Sequence, residues 1–210
     1  MFKPGPYNMT AAKHESDRLI EYLTNLQPLN NEIIERAKAE TFRVTVRKND
    51  ILPCADELNG DCLFFIIKGL VRGFIVDEGK DITAWLTDES HLIGSIRNPG
   101  TLKPTYEEKF QALEDSELLI LPYRFIDELY DQFPEINILA RKILAIHYHI
   151  SQERSILSRI PSAEARYKQF KNGYPTMKHR VPLKYLASYL GIRIETLSRI
   201  RKKEKLEGKD

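Results

Sequence analysis

A chain of 210 residues, 42% of them hydrophobic, is long enough for one large domain or two modest ones and too apolar for wholesale disorder. No apolar run reaches the roughly 20 residues of a membrane-spanning helix, and the start, MFKPGPYNMTAAKHESD, lacks the apolar stretch of a secretory leader. A cytoplasmic protein with no membrane partner is therefore expected. The net charge of +2 hides a division: residues 159–210 carry 14 Lys/Arg against 5 Asp/Glu, and the rest of the chain 18 against 25. A compact basic segment on an acidic body suits a polyanionic partner, with a solvated basic tail as the plain alternative.

The first ten residues hold two prolines and a glycine and should be loose. Residues 12–40 read as helical, with Leu19, Leu23 and Leu26 on one face and Ile33, Ile34 and Ala37 after them. Pro28 should divide them into two short helices. From Thr41 to Leu121 the period changes. Phe42, Val44 and Val46 alternate with polar residues, as in a half-buried strand. The run from Cys62 to Gly94 reads as strand, turn at Lys68-Gly69, strand, turn at Asp77-Glu78-Gly79-Lys80, strand. EKFQALEDSELLIL reads as a further strand pair broken at Glu114-Asp115. Short strands with polar turns at this spacing indicate an antiparallel barrel or sandwich. Between the two groups lies the polar loop IRNPGTLKPTYEE, placed where ligand contacts tend to sit.

Beyond Pro122 the strand signals stop. Tyr123 to Tyr130 reads as a short helix, and Pro134 opens a long one from Glu135 to about Ser158. On it Ile136, Leu139, Ile143, Ile146, Ile150 and Leu157 recur at steps of three and four. This is the spacing of a two-helix dimer seam or of an ordinary core-facing helix. Ile138 and Leu144 supply a second apolar face, suited to covering the barrel. Ser162 is a plausible N-cap for a helix from Ala163 to Lys171, which Asn172-Gly173-Tyr174-Pro175 should stop.

The stretch VPLKYLASYLGIRIETLSRIRKK completes the pattern. Leu183, Leu186, Ala187 and Leu190 share one helical face, and Gly191 ends that helix where a positive φ costs little. A second helix starts at Ile194 and turns Leu197 and Ile200 inward. Two helices joined by a short glycine-bearing turn make a helix-turn-helix. The outward residues of the second helix suit a major groove: Arg199 offers a fork to guanine, Glu195 can accept from cytosine, and Ser198 can serve either. Ile194 can touch a thymine methyl or simply pack. Glu195 and Arg199, four apart, can also brace each other. Arg180, Lys184, Arg193, Thr196, Lys202 and Lys203 are the candidate phosphate contacts.

The residues Gly191-Ile192-Arg193-Ile194-Glu195-Thr196-Leu197-Ser198-Arg199-Ile200 resemble the recognition helix of the catabolite-activator and fumarate-nitrate-regulator (CRP/FNR) superfamily. The shared core is Glu-Thr-x-x-Arg, here Glu195, Thr196 and Arg199. Leu63 to Gly69 and Gln111 to Glu117 are similar to the same family's β-roll. The resemblance implies an α+β chain in three parts. Residues 1–134 would be an antiparallel, jelly-roll-like β-roll of the cyclic-nucleotide-binding type with flanking helices, and residues 135–158 a dimerisation helix. Residues 159–210 would be a helix-turn-helix domain whose wing is missing or reduced. It implies a homodimeric transcription regulator on double-stranded DNA, with Glu195 and Arg199 reading base edges and RNA polymerase as a further partner.

Cyclic-nucleotide binders of this fold carry Gly-Glu and later Arg-Ser or Arg-Thr around the ligand, the Glu on the ribose and the Arg on the phosphate. Here the first pair reads Gly94-Ser95 and the second falls near Tyr106-Glu107, where acidic side chains would repel a phosphate. Gly94, Ser95, Tyr106 and Glu107 thus mark an effector loop in which cyclic AMP is not expected, and no other cofactor is expected either. His91, His147 and His149 read as packed or solvated rather than as haem ligands. Cys54 and Cys62 read as reduced structural thiols, too few for an iron–sulfur cluster. No nucleophile–base pair, metal-spaced cluster or Gly-rich phosphate loop suggests an enzyme. The competing function is a ligand-sensing module that acts through a protein partner.

Overall fold

The structure, a computed structural model, describes residues 9–11, 16–53, 58, 61–94, 105–206 and 208. Cys54, Ser95 and most of the loop before Tyr106 lie outside these residues, as do residues 1–8. The N-terminal segment is not wholly loose: Met9–Ala11 forms a strand, β1. Two helices follow, α1 (Asp17–Leu26) and α2 (Asn31–Glu40), divided around Pro28. Asn30 caps α2 by accepting from Ile33 N at 2.9 Å.

The β-roll contains β2 (Phe42–Val46), β3 (Cys62–Lys68), β4 (Val71–Asp77), β5 (Lys80–Thr87), β6 (Leu92–Gly94), β7 (Lys109–Ala112) and β8 (Ser116–Pro122). One sheet has the order β1-β2-β8-β3-β6 and the other β5-β4-β7. The strands β7 and β8, expected to be partners, belong to different sheets: β7 pairs with β4, and β8 with β2 and β3. The Glu114-Asp115 turn carries the chain from one layer to the other, a choice that no local pattern encodes.

Period-2 alternation with both faces covered explains the unbroken apolar runs of β3 and β8. Phe64, Ile66, Leu118 and Ile120 point between the two sheets, with Val44, Val46 and Val71. Their neighbours Phe65, Ile67, Leu119 and Leu121 point the other way, against Leu19 and Tyr22 of α1. Within the second sheet the Trp85 ring occupies the place of a missing side chain. A Cβ on Gly73 would sit 2.1 Å from Trp85 Cε2, so only glycine lets the ring lie there.

Helix α3 (Tyr123–Gln132) leads into α4 (Pro134–Arg159), whose 26 residues span about 39 Å. The C-terminal helices are α5 (Ala163–Gly173), α6 (Leu183–Leu190) and α7 (Ile194–Leu206). Ser162 caps α5 as expected, accepting from Ala165 N at 3.3 Å, and α5 runs two residues past Lys171. No helix among the described residues is long and apolar enough to cross a membrane.

Burial within the chain does not divide the two apolar faces of α4 as expected. Ile136 and Leu139 are buried within the chain against Ile33, Ala37, Phe125 and Leu129, and Leu157 belongs to the C-terminal core. Ile143, Ile146 and Ile150 between them are half-buried. The outward face carries Ile138, Leu144, Tyr148 and Ile156, exposed by 39%, 56%, 67% and 54%. Spacing at three and four identifies a face to be covered; it does not say whether this chain or another covers it.

Candidate nucleic-acid interface

The α6–α7 unit is built as its sequence indicates. Gly191 has φ 61° and ψ 40°, and the chain closes a Schellman motif around it. Gly191 N donates to Ser188 O at 3.0 Å and Ile192 N to Ala187 O at 3.0 Å. Leu186, Ala187, Leu190, Leu197 and Ile200 are buried between the helices, together with Tyr167 and Phe170 of α5. Arg201 locks the back of α7, donating to the Tyr167 hydroxyl at 3.2 Å and to Lys178 O at 3.1 Å.

This packing turns Glu195, Ser198, Arg199 and Lys202 outward on one face, at steps of three, one and three, with Ile194 beside them at 40% exposure. Glu195 and Arg199 do not brace each other. The guanidinium reaches Thr196 Oγ1 instead, at 3.4 Å, which leaves the Glu195 carboxylate clear of Arg199. Of the proposed phosphate contacts, Lys184, Arg193 and Lys202 are exposed, and Thr196 is half-buried. Lys203 forms an exposed pair with Glu164 at 3.1 Å.

Arg180 is the exception. Its Nη1 and Nη2 donate to Glu89 at 2.9 and 2.7 Å, and Nη2 and Nε donate to Glu114 at 2.7 and 3.1 Å. Its cationic fork is spent on two carboxylates of the β-roll and cannot also hold a phosphate. The reason is tertiary: the loop before α6 lies against the Glu89 and Glu114 turns. Glu89 is held down to about 2, mainly by the Arg180 hydrogen bonds and further by the Gly69 backbone N–H.

A second arginine, which the sequence reading missed, joins the same two units. Arg72 of β4 is only 1% exposed. It grips Asp81 through Nη1 and Nη2 at 2.5 and 2.6 Å and donates to Gln111 and Thr83 at 2.7 and 3.0 Å. Its guanidinium is sandwiched between Phe74, 4.2 Å away, and Tyr185 of α6, 3.8 Å away. Beside it Thr83 N donates to Ser188 Oγ at 2.9 Å, and Leu70, Leu86 and Leu113 of the roll continue into the core of the C-terminal helices. Helix α6 is therefore docked on β5 while the polar face of α7 stays free. The only local sign was a charge inside the apolar run LVRGFIV.

No protein-family model matches the chain. Among curated proteins it is 25% identical over 184 residues to the fumarate and nitrate reduction regulatory protein of Vibrio cholerae, covering 81% of this chain and 69% of that one. Its fold matches that of FixK2 from Bradyrhizobium japonicum with a TM-score of 0.69 at 14% identity, over 80% and 86% of the two chains. It also matches a crp/fnr-family protein from Eubacterium rectale with a TM-score of 0.66 at 15% identity, over 90% and 89%. The chain is similar in sequence and in fold to CRP/FNR-family transcription regulators.

The residues expected to form an effector loop are only partly gathered. Gly94 and Glu108 line one cavity of about 540 Å³ between the roll and α4, where they face His147, Ile150 and Arg154. Tyr106 and Glu107 are exposed, and Glu107 lies 3.8 Å from Lys109. Glu108 is exposed too, lines that cavity, and accepts from Trp85 Nε1 at 2.7 Å. Burial lowers the pKa of His147, with His91 and Arg154 adding to the effect. His91 Nδ1 sits 3.0 Å from its own segment's Glu89 O, and no group of three His, Cys, Asp or Glu among the described residues could hold a metal. Cys62 is buried in β3.

Proposed function

We propose that this chain is a homodimeric, sequence-specific DNA-binding transcription regulator of the cytoplasm, and that cyclic AMP does not control it. One observation carries the reading. The inward residues of α7 fix the helix on a packed unit, so Glu195, Ser198, Arg199 and Lys202 stand together on its free face. Such a helix enters a major groove with the residues of its first two turns at the base edges. Arg199 and Glu195 read bases, Ser198 and Ile194 adjust the fit, and Lys184, Arg193, Lys202 and Lys203 neutralise phosphates.

The dimer forms along α4, and the outward face of Ile138, Leu144, Tyr148 and Ile156 supports that role better than the inward positions do. A two-fold axis along this helix sets two α7 helices against a roughly palindromic site, and RNA polymerase is the partner through which occupancy of the site changes transcription. The reading without cyclic AMP rests on Glu108, an acidic group facing the cavity of Gly94. Selection from a pool of random duplexes tests the function. Enrichment of one inverted-repeat motif supports it, and recovery of no motif favours a module that acts through a protein partner.

A further inference from the structure

The helix-turn-helix unit and the β-roll meet through two kinds of contact. Leu70, Leu86 and Leu113 of the roll enter the core of the C-terminal helices. Apolar burial of this sort attracts but is not directional, so it does not fix an angle. The ion-paired contacts are directional, and they gather on the segment just before α6. Arg180 forks onto Glu89 and Glu114, and beside it Thr176 Oγ1 donates to Asp88 Oδ2 at 2.5 Å. These carboxylates are themselves held: Asp88 is 7% exposed, and Glu89 Oε1 accepts from Gly69 N at 2.8 Å. Paired N–H···O bonds to a carboxylate fix orientation as well as distance.

Little else sets the angle of this unit on α4. The covalent joint is Ile160-Pro161-Ser162, and α4 contributes Leu157 to the buried core beyond it. The roll is seated on the other end of α4, where Ile136 and Leu139 meet Ile33, Ala37, Phe125 and Leu129. The three carboxylates therefore connect α7, through the roll, to the helix of the proposed dimer seam. We propose that Asp88, Glu89 and Glu114, with Thr176 and Arg180, are positioning residues that set the half-site spacing the dimer accepts. They act on specificity without touching a base. The proposal rests on the reading of the chain as a dimeric DNA binder. Two base pairs added between half-sites turn one of them about 70° around the duplex and move it about 7 Å. A dimer whose two α7 helices are held at one angle cannot follow that change, whereas a unit free to swivel can.

The test changes only the roll. Asp88→Asn, Glu89→Gln and Glu114→Gln together remove the three charges and leave every residue of the C-terminal unit as it is. The selected inverted-repeat duplex is remade with two base pairs added to, or taken from, its centre. The wild type should lose at least about ten-fold in affinity on the altered spacers, and the triple variant less than about three-fold. The ratio between spacers is the readout, because removing negative charge strengthens binding to every duplex alike. A second readout contains no DNA. Thr83 N donates to Ser188 Oγ across the same boundary, so its amide exchange should quicken at least about ten-fold in the variant, with the amides of β3 and β8 unchanged. Arg180→Gln breaks the contact from the other side and should reproduce both results. Spacer preference as steep in the variants as in the wild type, or unchanged exchange at Thr83, would overturn the proposal. A wild type that selects no motif would overturn the DNA-binding reading itself, before any variant is compared.

Discussion

Arg180 and Glu89, 91 residues apart, are joined by two parallel hydrogen bonds of 2.9 and 2.7 Å, and this pair fastens the helix-turn-helix unit to the β-roll. Glu114 closes the other side of the guanidinium at 2.7 Å, so one arginine neutralises two carboxylates that would otherwise repel each other. The contact converts a residue that looks like a phosphate ligand into an internal clamp.

The clamp should be sensitive to acid. The Glu89 carboxyl titrates at about 2 when folded, against 4.5 for an ordinary glutamate. Above pH 4.5 it is ionised in both states and its contribution is complete. As the pH falls from 4.5 towards 2, the unfolded chain takes up the proton first and the contribution is progressively lost. Melting temperatures measured across this window should fall more steeply for the wild type than for Glu89→Gln. Parallel curves would show that Glu89 is not held ionised.

Tyr185→Ala removes one wall of the Arg72 sandwich but leaves the Asp81 pair in place. A loss of about 1–2 kcal/mol is expected by chemical denaturation, from the cation–π contact and the uncovered ring area. Tyr185→Phe should lose little, because the ring face and not the hydroxyl meets Arg72. A similar loss in both variants would assign the stabilisation to the hydroxyl instead.

The outward face of α4 predicts the pattern of dimer disruption. Replacing Leu144 and Tyr148 together by Glu should give a monomer of 24.4 kDa in sedimentation equilibrium, with the helical signal retained. Leu139→Ala should instead lower stability by about 2–4 kcal/mol and leave the association state alone, since its partners are in its own chain.

Cyclic AMP added at millimolar concentration should neither raise the melting temperature nor alter DNA affinity. Restoring the binder pattern at the two sites, with Ser95→Glu, Tyr106→Arg and Glu107→Ser, is the informative counterpart. A response to cyclic AMP in the unmodified protein would contradict the assignment of Glu108 as a barrier to the phosphate.

Local chemistry made the helix-turn-helix legible. Gly191, the apolar spacing of Leu186 to Ile200 and the Ser162 cap each act within a few residues, and each does what its type and position imply. The strands were legible for the same reason, but their partners were not. The separation of β7 from β8 depends on which layer each strand joins, and that is decided by contacts 39 or more residues away in the case of Gln111 with Arg72. The seam is legible only in part. Ile136 and Leu139 have the spacing of an interface, and only the presence of α2 and α3 beside them shows that they are already covered. Arg72 and Arg180 were opaque because the value of a charge depends on its partners, and theirs lie on other elements.

The measurement closest to the central claim is the affinity of the wild type and of Arg199→Ala for the duplex selected from a random pool, and for that duplex with each base pair changed in turn. The account predicts a loss of about 1–3 kcal/mol, about 5- to 150-fold, on the selected duplex. The variant should become indifferent to one base pair while its non-specific binding stays within about two-fold. An equal loss on every duplex, or no loss at all, would contradict base reading by the free face of α7.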